Sequence, residues 1–252
     1  MPLLNHRVEG TGPVVLLLHA GAADLRMWDD QVRELAPTWT TVRCDLAGYG
    51  GSPPVPGPSY GDADDVLALL DHLHVDAFAI VAASYGGHVG LQVATAAADR
   101  VHALVLLAPL AELVPPDAGL RAFWAEERAL LEAGDLDAAT ELNVRTLLGP
   151  DADDDVRERL RAMQHDAFVA QSAAGDQEAR ELPVDLQRLT MPVTVVVGDH
   201  DLSFFGTTAR ALVQRLPDAR LVELAWAGHL PTLERPAETG RLVRRALSTG
   251  RT

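Results

Sequence analysis

Residues 78–88 read Phe78-Ala-Ile-Val-Ala-Ala-Ser84-Tyr-Gly-Gly-His88, a continuous apolar run that ends at a serine among small residues. This pattern is typical of a strand that turns sharply into a helix and presents the serine hydroxyl at the turn. The backbone of such a serine is strained, so the residues two positions away must be small, as Ala82 and Gly86 are. A serine that only caps the start of a buried helix fits this segment equally well. The segment therefore predicts a strand followed by a helix and offers Ser84 as a candidate nucleophile.

Similar apolar runs recur along the chain and alternate with helical patterns. They lie at residues 14–18, 41–44, 78–83, 103–108, 193–197 and 220–224. Continuous apolar runs are typical of parallel strands that are buried on both faces. The alternation predicts the α/β class with a doubly wound, mainly parallel sheet, and it places ligands at the carboxyl ends of the strands.

The alternation stops between residues 110 and 182, where the sequence predicts three helices and no strand. We therefore divide the chain into an α/β core at residues 1–109 and 183–252 and a helical cap inserted at residues 110–182. A helical insertion beside a catalytic turn is most simply a cover over the site, and a surface decoration is the alternative. Phe123 and Trp124 in its first helix are candidate substrate-binding residues, unless the apolar faces of these helices pack on each other.

Composition restricts the partners of this chain. Its 252 residues are 48% apolar and carry 21 basic against 36 acidic side chains, a formal charge of -15 that would repel nucleic acid and anionic membranes. The single cysteine, Cys44, excludes an intrachain disulfide and favours a reducing cytoplasm. The N-terminus predicts no signal peptide or membrane anchor. We expect a small-molecule substrate, and the sequence does not indicate an oligomeric state.

A serine nucleophile needs a base within hydrogen-bond reach and a group that orients the base. His229 follows the last predicted strand in a loop with glycine, so we expect it at the same sheet edge as Ser84. A loop histidine is otherwise an ordinary solvated residue. Asp199 and Asp201 both follow residues 193–197, and either is a candidate for the orienting acid. We prefer Asp201, because it lies farther along the loop and is freer to point inward.

The reaction also needs donors for the oxyanion. The first predicted strand ends in Leu18-His-Ala-Gly-Ala-Ala23, and small residues let backbone N–H groups approach a ligand closely. Gly21 in this turn and Tyr85 after the serine are the candidate oxyanion donors, unless the turn uses glycine for its geometry alone. The glycine-rich loop at 46–54 lacks the ending of a phosphate-binding loop, and no Cys or His cluster has metal-ligand spacing. The sequence therefore predicts no cofactor and no metal.

With these residues assembled, the chain resembles the α/β-hydrolase superfamily over nearly its whole length, with nucleophile, acid and histidine in the expected order. Within the superfamily it looks most like the esterase and enol-lactonase-like branch. Ala20 and Ala82 stand where glycine is usual. The resemblance implies a mainly parallel sheet, a lid and a cofactor-free triad. The segments that carry it are His19-Ala-Gly, Met27-Trp28, Asp45-Leu-Ala-Gly-Tyr-Gly-Gly-Ser52, Ser84-Tyr-Gly-Gly and Gly228-His-Leu-Pro.

Three functions fit these residues. The first is a serine hydrolase that cleaves a small or medium ester or lactone through an acyl-enzyme, with a triad of Ser84, His229 and Asp201. The second is a carbon–carbon bond hydrolase, lyase or cyclase of a biosynthetic pathway that uses the same fold. The third is a non-catalytic protein that holds a ligand under the cap. The complete candidate triad favours the first function, since the fold alone does not decide between them.

Overall fold

The computed structural model describes residues 3–55, 59–173 and 178–249, which form a sheet with helices on both faces. In chain order the strands are β1 (His6–Gly10), β2 (Val14–Leu18), β3 (Thr40–Cys44), β4 (Ser59–Tyr60), β5 (Phe78–Ala83), β6 (Val101–Leu107), β7 (Glu178–Ala179), β8 (Val193–Gly198) and β9 (Ala219–Leu224). The helices are α1 (Asp29–Leu35), α2 (Asp62–His72), α3 (Tyr85–Ala96), α4 (Ala118–Glu132), α5 (Leu136–Leu147), α6 (Asp154–Ser172), α7 (Ser203–Arg215), α8 (Pro231–Glu234) and α9 (Pro236–Thr249).

The main sheet has seven strands in the order β1-β3-β2-β5-β6-β8-β9. Strand β1 pairs with β3 in the antiparallel sense, and every other neighbouring pair in this sheet is parallel. The predicted α/β class and the mainly parallel sheet are confirmed. Parallel pairing brings the carboxyl ends of β2, β5, β6 and β8 to one edge, and the loops that follow these strands meet there.

Successive residues of the central strands enter two different apolar layers. On β2, Leu16 and Leu18 pack in the layer that contains α2, α3 and α7, whereas Val15 and Leu17 pack in the layer that contains α1 and α9. All four side chains are fully buried. Each contributes roughly 1.5–3 kcal/mol by leaving water. Burial on both faces is the reason that these strands have no polar alternation.

Three strands were not predicted from the sequence. Strand β1 is an edge strand whose residues are mostly exposed, so it has no apolar pattern. Strands β4 and β7 have two residues each and pair with one another in the parallel sense. The prediction of no strand between residues 110 and 182 was therefore wrong at Glu178–Ala179, because two residues are too few to show a period.

Helices α4, α5 and α6 fill most of the chain between β6 and β8, where three helices were predicted. They pack on one another, α5 against both α4 and α6, and α4 also contacts α7. None of the helices in the described part of the chain combines the length and the apolar character needed to cross a bilayer.

Helix α3 begins very close to the end of β2. A Cβ atom added to Gly86 would lie 2.3 Å from the carbonyl oxygen of His19 and 2.6 Å from that of Leu18. Both contacts are with backbone atoms, which cannot rotate away. Only glycine therefore fits at the position that brings α3 against β2.

We predict that Gly86→Ala is strongly destabilising. The added methyl group forces the helix and the strand apart, and overpacking of this kind costs typically about 1–3 kcal/mol or more. Chemical denaturation measures the loss. Gly119→Ala in α4 is the control, because its Cβ would meet no atom closer than 3.4 Å. Equal stabilities for the two variants would contradict the close approach at Gly86.

Candidate active site

Ser84 lies in the turn between β5 and α3 with backbone angles that a serine rarely adopts. Its φ is 51° and its ψ is -115°, and its side chain makes no capping hydrogen bond to the helix. Neighbouring backbone fixes this turn. The Ser84 N–H donates to Leu107 O at 2.9 Å, and its carbonyl oxygen accepts from the N–H groups of Gly87 at 2.8 Å and Leu110 at 3.0 Å. Strain that is held in place in this way is typical of a nucleophile and not of a simple helix cap.

His229 and Asp201 form a buried pair. The distance between His229 Nδ1 and Asp201 Oδ2 is 2.7 Å, and the two side chains are 2% and 1% exposed. Asp201 Oδ1 accepts a second hydrogen bond, from the Leu202 N–H at 2.7 Å. Asp199, the alternative acid, is exposed. The carboxylate that contacts the imidazole is therefore that of Asp201.

The helical insertion holds the loop that carries His229. The His229 N–H donates to Leu147 O at the end of α5, at 2.8 Å. Glu234 in α8 accepts from the N–H of Gly228 at 3.0 Å and from the N–H of Gly149 at 3.1 Å. Burial raises the pKa of Glu234, and these backbone hydrogen bonds oppose the rise. The sequence analysis did not find Glu234, because its partner Gly149 lies 85 residues away in the insertion.

The turn after β2 places backbone N–H groups beside Ser84. His19 is fully buried, with Nδ1 2.8 Å from Ala20 O and Nε2 accepting from the Leu46 N–H at 2.9 Å. Burial lowers the pKa of His19, so a neutral ring bridges this turn to the loop after β3. Among the described residues, no acceptor takes the N–H of Gly21 or of Tyr85. Both groups are thus free to donate to a ligand.

A cavity of about 250 Å³ brings the candidate residues together. Ser84, His229, Gly21, Tyr85, Phe123 and Trp124, all named from the sequence, line it. Asp201 lies behind His229 and does not line the cavity. The Ser84 hydroxyl makes no hydrogen bond to any described residue, His229 included. Among the described residues, no group of three or more His, Cys, Asp and Glu side chains is placed to hold a metal ion.

A second set of cavity residues did not emerge from the sequence. Tyr49 comes from the loop after β3, and this loop is fixed by Asp45, whose two carboxylate oxygens accept from the N–H groups of Leu25 and Gly51, both at 2.7 Å. Other polar lining residues come from the insertion, among them Glu127 and further members that lie on α5 and α6. The sequence pattern of these helices did not show which of their side chains point into the cavity.

Tyr85 anchors the start of α3 through its side chain. Its hydroxyl donates to Asp62 Oδ2 at 2.6 Å, and Asp62 Oδ1 accepts from the Ala47 N–H at 3.4 Å. Asp62 is 5% exposed, and burial raises its pKa to about 6 although the Tyr85 hydrogen bond opposes the rise. A buried carboxyl group thus supports the residue that offers the second candidate oxyanion donor.

Comparison with known proteins identifies the family. A model of the alpha/beta hydrolase fold matches residues 13–236. The chain belongs to the α/β-hydrolase family. The superfamily that the sequence resembles is thereby confirmed, and the strained serine, the aspartate and the histidine follow one another along the chain in the order that this family uses.

Two relatives of this α/β-hydrolase and one similar protein of solved structure have informative names. A pimeloyl-[acyl-carrier protein] methyl ester esterase of Neisseria meningitidis serogroup B is 30% identical over 91% of this chain and 91% of that protein. A putative carbamate hydrolase, RutD, of Pseudomonas syringae pv. syringae is 26% identical over 97% of each chain. The crystal structure of the enol-lactonase from Burkholderia xenovorans LB400 superimposes with a TM-score of 0.79 and 25% identity, covering 97% of this chain and 96% of that one.

We predict that Asp62→Asn makes the protein more stable at neutral pH. Because the pKa of Asp62 is about 6 in the folded protein, above the ordinary aspartate value of 3.8, folding favours the protonated carboxyl group. The protonated Asp62 carboxyl group therefore contributes its full stabilisation of the folded state below about pH 4, and this contribution declines as the pH rises to about 6. Asparagine stays neutral and still accepts from Tyr85, so we expect a gain of about 1–3 kcal/mol near neutral pH and little gain near pH 4.

Thermal melts of wild type and variant across this pH range measure the effect. Asp76→Asn is the control, since Asp76 is exposed. Parallel stability curves for wild type and Asp62→Asn would contradict a raised pKa at Asp62.

Proposed function

We propose that this chain is a serine hydrolase that cleaves a small or medium ester or lactone through an acyl-enzyme. Ser84 is the nucleophile, His229 the general base and Asp201 the group that orients the histidine. The observation that carries the proposal is the strained Ser84 at φ 51°, which opens on the same cavity as a histidine held by a buried aspartate. Gly21 and Tyr85 supply the oxyanion donors.

In the first half of the reaction, the Ser84 Oγ atom attacks the carbonyl carbon while His229 Nε2 takes the hydroxyl proton. Asp201 accepts the hydrogen bond of Nδ1–H, which leaves Nε2 unprotonated and stabilises the imidazolium that forms. The two backbone N–H groups hold the negative charge on the former carbonyl oxygen. The intermediate then collapses, the bond to the leaving alkoxide breaks, and His229 gives its proton to that oxygen.

In the second half, a water molecule takes the place of the alcohol. His229 removes a proton from the water as its oxygen attacks the acyl carbon, and the same proton returns to Ser84 when the acid leaves. For a lactone, the alcohol and the acid are the two ends of one product. The absence of a direct hydrogen bond between Ser84 and His229 is common before substrate binds, because such contacts tighten only in the complex.

The size of the cavity supports a small substrate. Its volume of about 250 Å³ lies just below the usual range for ligand sites, about 300–1,000 Å³. We propose that Phe123 and Trp124 bind the apolar part of the substrate, since both line this cavity and neither side chain is fully exposed. Trp124 also lines a second cavity of about 650 Å³ together with Tyr85 and Leu110, so it forms a wall between two spaces.

We propose that residues 110–182 act as a cap over the core. Helices α4, α5 and α6 supply residues to the cavity, and the end of α5 contacts the His229 loop through Leu147. A cap in this place excludes water from the reacting groups and sets the shape of the substrate site.

The names of the relatives support the bond type. A methyl ester esterase, a carbamate hydrolase and an enol-lactonase all point to a carbonyl carbon bonded to oxygen. We extend this bond type to the present chain, with a small-molecule substrate and no cofactor, because the named residues supply every group that the two half-reactions need. The single cysteine, buried in β3, supports a cytoplasmic location.

We expect Ser84→Ala to lower the rate of ester hydrolysis by roughly a thousandfold or more, with weak residual catalysis from the oxyanion donors. A fluorophosphonate probe should label wild type at Ser84 and leave the variant unlabelled, as read by peptide mass spectrometry. Ser248→Ala, an exposed serine in α9, is the control and should behave as wild type. A label on another residue of active enzyme would refute the assignment.

We expect Asp201→Asn to lower the rate of ester hydrolysis far more than Asp199→Asn does. Asparagine at this position favours the wrong imidazole tautomer, and the expected loss in kcat is about ten-thousandfold. Asp199→Asn is the matched control and should keep most of the activity, since its carboxylate is exposed and does not contact His229. Steady-state kinetics on one ester separate the two variants, and the reverse order of activities would overturn the assignment of Asp201.

A further inference from the structure

One side of the active-site cavity is polar, and each helix of the insertion contributes to it. Glu127 comes from α4, Asn143 from α5 and Gln164 from α6. The serine hydrolysis proposed above uses none of these side chains. They lie on the insertion, whereas Ser84 and His229 lie on the core, so they face the cavity from the cap.

Glu127 is only half satisfied. Its Oε1 atom accepts from Asn143 Nδ2 at 2.6 Å, and the same nitrogen donates to Ala139 O at 3.1 Å. Both amide hydrogens of Asn143 are then in use, and its Oδ1 atom is left as an acceptor. Among the described residues, nothing donates to Glu127 Oε2, and no Arg or His nitrogen lies within 4.0 Å of this carboxylate. Burial raises the pKa of Glu127, and the hydrogen bond from Asn143 opposes the rise.

Gln164 is a second, independent observation that points to a polar ligand. Its side chain is 3% exposed and lines the cavity, yet it forms no hydrogen bond with any described residue. Buried amides are normally hydrogen-bonded, and an exception requires an explanation. The Gln164 amide and the free oxygen of Glu127 both line the cavity that contains Ser84, where a polar group of the substrate can bind them.

We infer that Glu127, Asn143 and Gln164 bind a positively charged hydrogen-bond donor of the alkylammonium type at the non-reacting end of the ester or lactone. This inference rests on the proposed hydrolysis at Ser84. The two free acceptors, Glu127 Oε2 and Asn143 Oδ1, require a donor, and the carboxylate favours a cation over a neutral donor.

The surrounding charge has the same sign. No arginine is among the described residues that line this cavity, and the chain has no lysine. The formal net charge of -15 adds to the attraction of a cation. A substrate that ends in a carboxylate would meet Glu127 with no counter-charge to offset the repulsion, so the site discriminates against it.

Three methyl esters of similar length test the inference: methyl 6-aminohexanoate, methyl heptanoate and monomethyl adipate, which end in an ammonium, a methyl and a carboxylate group. We expect wild type to prefer the ammonium ester in kcat/KM. Glu127→Gln keeps one oxygen as the acceptor for Asn143, removes the charge and replaces the free Oε2 acceptor with an NH2 donor, so it should lower the ratio of ammonium to methyl ester by roughly 10- to 100-fold. It should also improve the carboxylate ester.

Glu126→Gln is the matched control. Its carboxylate is exposed on the same helix and pairs with Arg145, so all three ratios should stay as in wild type. Thermal melts show whether Glu127→Gln is folded. If Glu127 only supports Asn143, Glu127→Gln leaves the ratios unchanged, and that result overturns the inference.

Binding to Ser84→Ala separates this inference from the proposed function. Calorimetry with the three esters reports recognition without turnover. Hydrolysis that depends on Ser84, with no preference for the ammonium ester in rate or binding, refutes the inference and leaves the hydrolase proposal standing. In the opposite case, Ser84→Ala binds the ammonium ester tightly, the Ser84→Ala, Glu127→Gln double variant does not, and wild type hydrolyses none of the esters. That result supports the cation site and refutes the hydrolase proposal.

Discussion

The site depends on the strained turn at Ser84. A residue at φ 51° and ψ -115° costs on the order of 1–3 kcal/mol, and it persists only where the surrounding structure leaves no alternative. Two features impose it here. The end of β6 and the residues after it bind both backbone groups of Ser84, and the close approach of α3 to β2 at Gly86 leaves no room for another path. The sheet core therefore holds the hydroxyl at the edge where the loops meet.

The second constraint joins the insertion to the core. Glu234 binds the backbone of Gly228 and of Gly149, and Leu147 O accepts from the His229 N–H. A shift of the end of α5 would thus move the backbone of His229 and change the position of its imidazole. An insertion attached only by its two chain ends would leave the histidine loop independent of it. Leu147 and His229 both line the cavity, so the same hydrogen bonds fix part of the cavity wall and the position of His229. Under the proposed hydrolysis, this couples the shape of the cavity to the position of the imidazole.

Most strands of the main sheet could be predicted from the sequence, because their side chains are buried on both faces of the sheet. Strands β2, β5 and β8 are covered on both faces, so their residues are almost all apolar, with Thr194 in β8 the polar exception. Strand β1 is exposed at the sheet edge and carries no such signal, and β7 is two residues long. The choice between Asp199 and Asp201 depended on a tight turn, in which the Asp201 N–H donates to Gly198 O at 3.3 Å. Spacing gave a preference for Asp201 but did not fix the direction of either side chain.

The cavity-lining residues of the insertion were the hardest to predict from the sequence, and the reason is physical. Leu120 is the one residue of helix α4 that is buried. The amphipathic pattern of this helix therefore does not show in which direction Glu127 points. A carboxylate that faces a cavity has the same sequence signature as one that faces water. Only the packing of α5 against α4, which brings Asn143 to Glu127, distinguishes the two. The proposed catalytic groups follow strands of the sheet, which sequence patterns describe well. The residues proposed to select the substrate are positioned by contacts between helices of the insertion, which depend on the three-dimensional packing.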